Sequence, residues 1–290
     1  MDSMILHATT RTHADRFATH PGQALLLHGP HGVGKTALAR ALVAAVLQVP
    51  AASLDRYPYV TTVTPDDKHT ISIDAVRQLQ RFLQLRTTGK NVMRRAVIIA
   101  HADALTTEAQ NALLKLLEEP PADTIVVLTA ANVHTLLPTI RSRTQAIPVR
   151  EPDEAAVRAF FEQAGNDARA VEQAYLLSGG LPGLMHALLT NDTSHPLMAA
   201  VSHAKQLLGG KTFDRLAGID ALSKQKADTY TVLDALMSIA KTGLRQAAHK
   251  HDQDRMRQWH RVRKQSAAAR NALERSAHPK LVLTKLMLHI

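Results

Sequence analysis

Residues Gly29 to Thr36 read GPHGVGKT, and no other segment restricts the fold of this chain as strongly. In the spacing GxxxxGK[ST] the glycines let the backbone curl until successive N–H groups point at phosphate oxygens. The helix that follows adds the positive end of its dipole. In that geometry a lysine at position 35 reaches the β and γ phosphates of a nucleotide, and a threonine at position 36 ligates Mg²⁺. Gly29, Pro30, His31, Gly32, Val33, Gly34, Lys35 and Thr36 are therefore the candidate nucleotide-binding residues. The competing reading is a glycine turn that only starts a helix. The flanks suit a phosphate loop: an apolar run from Ala24 to Leu27 leads in, and Lys35 to Leu47, rich in Ala, Leu and Val, reads as a helix.

A loop of this kind needs a parallel sheet behind it, and the sequence offers one. AVIIA (Ala96 to Ala100) and TIVVLT (Thr124 to Thr129) are continuous apolar runs too short for helices, as strands covered on both faces are. Between them Thr107 to Glu119 carries apolar residues at helical spacing and stops at Pro120-Pro121. The result is an α/β domain over residues 1–149. Beyond Val149 the strand signals end. Three short helices fill residues 150–192, and residues 193–290 show only amphipathic helical patterns, including Tyr230 to Leu244 and a basic stretch from Lys241 to Arg275.

Composition narrows the function classes. Apolar residues at 45% and charged residues at 21% indicate an ordinary soluble protein, and 3% aromatics beside abundant Ala and Leu favour helix packing. The chain has no cysteine, which excludes disulfides, thiolate zinc sites and a cysteine nucleophile. Its start lacks the pattern of a targeting segment and no run of 18 apolar residues occurs, so a cytoplasmic protein without a membrane partner is expected. The formal net charge of +10 fits a polyanionic partner such as DNA or RNA, and equally a soluble surface biased toward Lys and Arg. The sixteen histidines are dispersed without metal-binding spacing, so no zinc site is expected, and His28, His31 and His101 read as packing or solvent-facing residues.

A hydrolysing phosphate-loop protein also needs a carboxylate at the end of a neighbouring strand to hold Mg²⁺, and usually a glutamate to polarise water. Here AVIIA ends at Ala100-His101, a methyl group and an imidazole. Asp103 stands three residues further on, either as a turn cap before Leu105 or as a rescued metal ligand. Binding of ATP or ADP, with Mg²⁺ as its companion ion, and little intrinsic hydrolysis are the expectation.

TEAQNALLKLLEEPPADTIVVLTAANVHTLLPTIRSRTQ, from Thr107 to Gln145, closely resembles the segment shared by bacterial clamp-loader AAA+ subunits, most of all the delta prime subunits of DNA polymerase III. ISIDAVRQLQRFLQL (Ile71 to Leu85) and the ending ALERSAHPKLVLTKLMLHI are similar to two further parts of those subunits. The resemblance implies a P-loop AAA+ domain with a parallel sheet, a small helical lid and an all-helical collar that oligomerises. It implies a role in DNA replication, within a hetero-pentamer that opens a ring-shaped sliding clamp and places it on primed DNA, with each ATP at a subunit boundary. The family's SRC motif is matched by Ser142, Arg143 and Thr144, which makes Arg143 the candidate catalytic arginine finger in trans; Arg141 is the weaker candidate, and a surface arginine capping a helix is the bland alternative.

Other positions depart from an active member of that family. Ser178 to Leu184 read SGGLPGL, without the lid arginine, and Thr129-Ala130-Ala131-Asn132 leave Asn132 as either a sensor or a loop cap. The interval Leu47 to Asp66 is short and lacks cysteine, so it has no counterpart of the four-cysteine zinc module that many members of the family carry. The basic residues of the third domain suit solvated helix faces or subunit contacts better than phosphate binding, and Trp259 suits a core better than a base-stacking platform. The alternative function is an ATP-hydrolysing clamp-loader motor subunit or another AAA+ ATPase.

Overall fold

The computed structural model describes residues 4–66, 70–84, 86–89, 91–193, 195, 197–223, 226–275 and 277–290; the last residue of the ISIDAVRQLQRFLQL segment, Leu85, lies outside them. The chain divides into two compact units, residues 1–153 and 154–290.

The first unit runs α1 (Ala8–Thr19), β1 (Ala24–His28), α2 (Lys35–Leu47), β2 (Val60–Val63), α3 (Ile73–Leu83), β3 (Arg95–Ile99), α4 (Thr107–Glu118), β4 (Thr124–Ala130), α5 (Pro138–Ser142) and β5 (Gln145–Pro148). All strand pairs are parallel, in the order β2-β3-β4-β1-β5. The three strands expected from apolar runs are the three central ones. β3 and β4 are buried along their whole length, and β1 up to His28. The outer strands escaped sequence reading for a physical reason: VTTV and QAIP are short and half-exposed, so neither forms a continuous apolar run. α1 escaped as well, because only Ala14 and Phe17 supply its buried apolar side chains. The core packs Leu26, Val97, Ile99, Val126 and Leu128 of the sheet against Leu113, Leu116 and Leu117 of α4.

Parallel register decides which loops meet. His28 pairs with Ala130 on one side and Pro148 on the other, so the loop after β1 emerges beside the C-terminal ends of β4 and β5. Ligands of open α/β sheets bind at that edge.

The second unit is helical: α6 (Glu154–Gln163), α7 (Ala168–Ser178), α8 (Pro182–Thr190), α9 (Leu197–Gly209), α10 (Thr212–Ala217), α11 (Ile219–Ser223), α12 (Lys226–His249), α13 (Gln253–Glu274) and α14 (Pro279–His289). The three short helices expected after Val149 are α6 to α8. Their ends follow local chemistry. Asp167 caps α7 by accepting from the N–H groups of Arg169 and Ala170, and Gly179 closes it at φ +70°. No helix among the described residues is long and apolar enough to cross a membrane.

Within this unit α12 and α13 pack closely, and Gly243 is the reason they can. A Cβ there would lie 2.7 Å from Cδ2 and Nε1 of Trp259. Trp259 is thus a packing residue, as expected in preference to a base-stacking platform. In an exposed helix Gly to Ala stabilises by about 1 kcal/mol, whereas overpacking costs about 1–3 kcal/mol. The clash should win at this site: Gly243→Ala is expected to lower the unfolding free energy of the second unit, seen as an earlier denaturant midpoint followed by Trp259 fluorescence.

Candidate nucleotide-binding site

The glycine loop is tied down at its start. The Gly29 N–H donates to the Ala130 carbonyl at 3.2 Å, and the Val149 N–H donates to the His28 carbonyl at 2.7 Å. Any Cβ at Gly29 would run into the Val149 carbonyl, so only glycine fits between β1 and β5 here. At the other end Gly34 starts α2 with φ +99°, where the demand is conformational, since a Cβ would meet open space. α2 has no side-chain cap and no acidic residue in its first turn. Its first N–H groups therefore have no side-chain acceptor, which is the arrangement that suits a phosphate.

Lys35 is only 5% exposed. Its Nζ donates to the carbonyls of Gly29 and Pro30, each at 2.8 Å, which folds the side chain back on the loop. Burial lowers its pKa to about 8, and the charge of Asp103 opposes that shift. Thr36 follows in the first turn of α2, half-buried. Loop, uncapped helix, buried lysine and threonine together fit the phosphates of a nucleotide.

The far side of the site comes from the residues after β3. Ala100 is 2% exposed and offers no ligand. His101 takes a left-handed backbone conformation, φ +55°, and its N–H donates to Thr129 Oγ1 at 3.1 Å. Its ring stacks on that of His31 with centroids 5.7 Å apart and planes at 17°. The imidazole pKa is lowered mainly by burial, raised by Asp103 and lowered again by Lys35. That of His28 is lowered by burial and then by Lys35. Both rings are therefore mostly neutral at pH 7.

Two of the three histidines read as packing residues thus meet over the loop. Asp103 was read as a cap or a metal ligand, and no capping bond forms: the 3₁₀ turn Ala102–Ala104 has no side-chain cap, and Asp103 Oδ1 is buried with no hydrogen-bond partner. Asn132 does cap, accepting from the His134 N–H at 2.9 Å. No group of three or more His, Cys, Asp or Glu able to hold a metal occurs among the described residues.

Arg143 is not part of this cluster. It ends α5, donates to the Thr139 carbonyl at 3.2 Å and pairs with Glu118 at 2.8 Å. Nothing in the sequence pattern pointed to Glu118; the ion pair arises because α4 and α5 are clipped together. The clip is Gln110, buried, whose Nε2 donates to the carbonyls of Leu105 at 3.3 Å and Thr135 at 3.2 Å while its Oε1 accepts from the Leu137 N–H at 2.8 Å. The parallel register now separates two expected site residues. Arg143 precedes the first residue of β5, whereas the glycine loop follows the last residue of β1, its parallel neighbour. They therefore stand at opposite edges of the sheet, at least a strand length apart, about 13 Å at the usual rise.

Residues 10–153 match the sequence model of the family described as DNA polymerase III, delta subunit. Through this stretch the chain belongs to that family. A Pseudomonas aeruginosa protein named DNA polymerase III subunit delta' is 35% identical over 204 residues, which cover 64% of this chain and 61% of the relative. The Escherichia coli protein of the same name is 36% identical over 137 residues, covering 46% of this chain and 40% of the relative. A Mycobacterium tuberculosis DNA polymerase III subunit gamma/tau is 29% identical over 219 residues, covering 71% and 34%. The chain thus spans less than two thirds of the length of each of these relatives. The family match encloses both the glycine loop and Arg143.

The buried lysine makes a pH prediction. The folded chain sheds the Lys35 proton near pH 8, while the unfolded chain holds it to about 10.5. Between those values the unfolded state binds more protons, so this group makes stability rise with pH; below pH 8 its penalty is full and constant. The difference in unfolding free energy, wild type minus Lys35→Met, should be flat from about pH 6 to 7 and should rise by about 1–3 kcal/mol toward pH 10. Urea titrations at each pH measure it, and a flat difference throughout contradicts the depressed pKa.

Proposed function

We propose that this chain is a delta prime-like subunit of the bacterial DNA polymerase III clamp loader. In this reading it binds ATP or ADP on residues 29–36, with Mg²⁺ held by Thr36, hydrolyses it little by itself, and supplies Arg143 to the ATP site of a neighbouring subunit. Family membership through residues 10–153, and likeness to proteins named delta' and gamma/tau, support the replication role. Residues 1–149 then act as the AAA+ domain, 150–192 as its lid and 193–290 as the collar. The partners are the other subunits of a hetero-pentamer, the sliding clamp and, through the assembly, primed DNA. The compartment is the cytoplasm.

The observation that carries the arginine role is the separation of Arg143 from the chain's own glycine loop across the sheet. A guanidinium there has no use at its own loop. It is about one-third exposed and held by an ion pair with Glu118 that is itself half-exposed. Such pairs are worth about 0–1 kcal/mol, so exchanging Glu118 for phosphate oxygens costs little. Ala100 and His101 at the end of β3, neither of them a carboxylate, disfavour strong intrinsic hydrolysis. The second reading, an ATP-hydrolysing motor subunit, is favoured by one observation: a neutral His101 and the Asp103 carboxylate both lie within electrostatic reach of Lys35.

Arg143→Ala should leave assembly of a reconstituted loader intact and slow hydrolysis at the adjoining ATP site by about 10³-fold or more. Arg143→Lys should recover little of it, because a point charge does not replace the planar fork. Unchanged turnover by the Arg143→Ala assembly rules out the trans role. Turnover by the isolated chain that vanishes in Lys35→Ala selects the motor reading.

A further inference from the structure

The site described above leaves one charged group without a task. Asp103 Oδ1 is shut off from water and accepts no hydrogen bond. Leaving a buried acceptor unpaired is unfavourable, and more so when it carries charge. Lys35, the buried cation that feels the charge of Asp103, donates instead to Gly29 and Pro30, and the two side chains form no ion pair.

Asp103 is also firmly placed. The turn Ala102–Ala104 is held by the Ala104 N–H on the His101 carbonyl at 2.8 Å and by the Ile71 N–H on the Ala104 carbonyl at 2.9 Å. The residue before it, His101, is fixed by its N–H on Thr129 of β4, and the His101 ring lies on the ring of His31 in the glycine loop. The carboxylate is thus carried by a rigid turn stacked against the loop.

We propose that Asp103 is the carboxylate ligand for the divalent cation that accompanies nucleotide phosphates in this site, with Thr36 as the hydroxyl ligand. This rests on the nucleotide-binding reading of residues 29–36. The chemistry selects Asp103 by what its neighbours lack. Mg²⁺ takes oxygen ligands, commonly one or two carboxylates together with phosphates. Ala100 has no ligand atom, and the His101 imidazole nitrogen suits softer metals. A cation at Asp103 also satisfies the oxygen that the protein alone leaves unpaired.

The experiment is calorimetric titration of the full chain with ADP, once in EDTA and once in excess Mg²⁺, for wild type, Asp103→Asn and Lys35→Ala. In parallel, Mn²⁺ bound in the presence of ADP is followed by electron paramagnetic resonance. Mg²⁺ should tighten ADP binding to wild type by about tenfold or more. Asp103→Asn should lose the Mg²⁺ gain measured against its own affinity in EDTA, and lose the protein-bound Mn²⁺ signal. Lys35→Ala should lose ADP binding in both conditions. A full Mg²⁺ gain in Asp103→Asn overturns the assignment, as does a wild type that binds ADP with no Mg²⁺ gain. A wild type that binds ADP in neither condition overturns the glycine-loop reading itself and this assignment with it. Asparagine is isosteric and loses no hydrogen bond, so the variant should remain folded, which its melting curve checks. Asp103→Ala serves as the second variant and should behave the same way.

Discussion

Strand β1 is hydrogen-bonded on both sides, to β4 and to β5, and the placement of both the glycine loop and Arg143 depends on that pairing. On the C-terminal side it brings Gly29 under the Val149 carbonyl and the Ala130 carbonyl, which leaves the chain no choice but to turn there. On the N-terminal side the same register places the end of α5, and Arg143 with it, across the sheet from the glycine loop. Antiparallel pairing of β5 would have put both on one edge. The parallel sheet therefore gives one chain two separate surfaces, one able to receive phosphate and one able to present a guanidinium.

The charge pattern at the C-terminal edge follows from burial. Lys35 is held by two loop carbonyls at a pKa near 8, His28 and His101 are kept mostly neutral, and Asp103 has an unpaired oxygen. The buried lysine and the unpaired oxygen are unfavourable states for the isolated protein. A polyanion supplied with a cation would relieve them together, since it compensates the lysine and gives the carboxylate a partner. Residues that weaken the folded chain alone are those a ligand would stabilise most.

Legibility in the sequence tracked the strength of local signals. β1, β3 and β4 were readable because strands covered on both faces must be apolar throughout, and α4 because Pro120-Pro121 ends it. β2, β5 and α1 were not, since VTTV, QAIP and a helix with two apolar buried side chains carry no periodicity that stands out from a loop. The glycine loop was legible to the residue, because its spacing reflects local backbone geometry. The stacking of His31 on His101 was not, as the two are brought together only by the order of the strands.

By itself, then, the sequence determined those properties that depend on neighbours along the chain: a glycine loop between strand and helix, a central parallel sheet, a helical remainder, and the absence of a carboxylate at the end of β3. Only the tertiary structure decided what depends on neighbours in space. It fastened Lys35 to the loop carbonyls, paired Arg143 with Glu118 through the Gln110 clip, and buried Asp103 Oδ1 without a partner. Spacing of residues fixes local geometry, whereas burial, charge coupling and the edge of the sheet on which a residue stands follow from strand order and register.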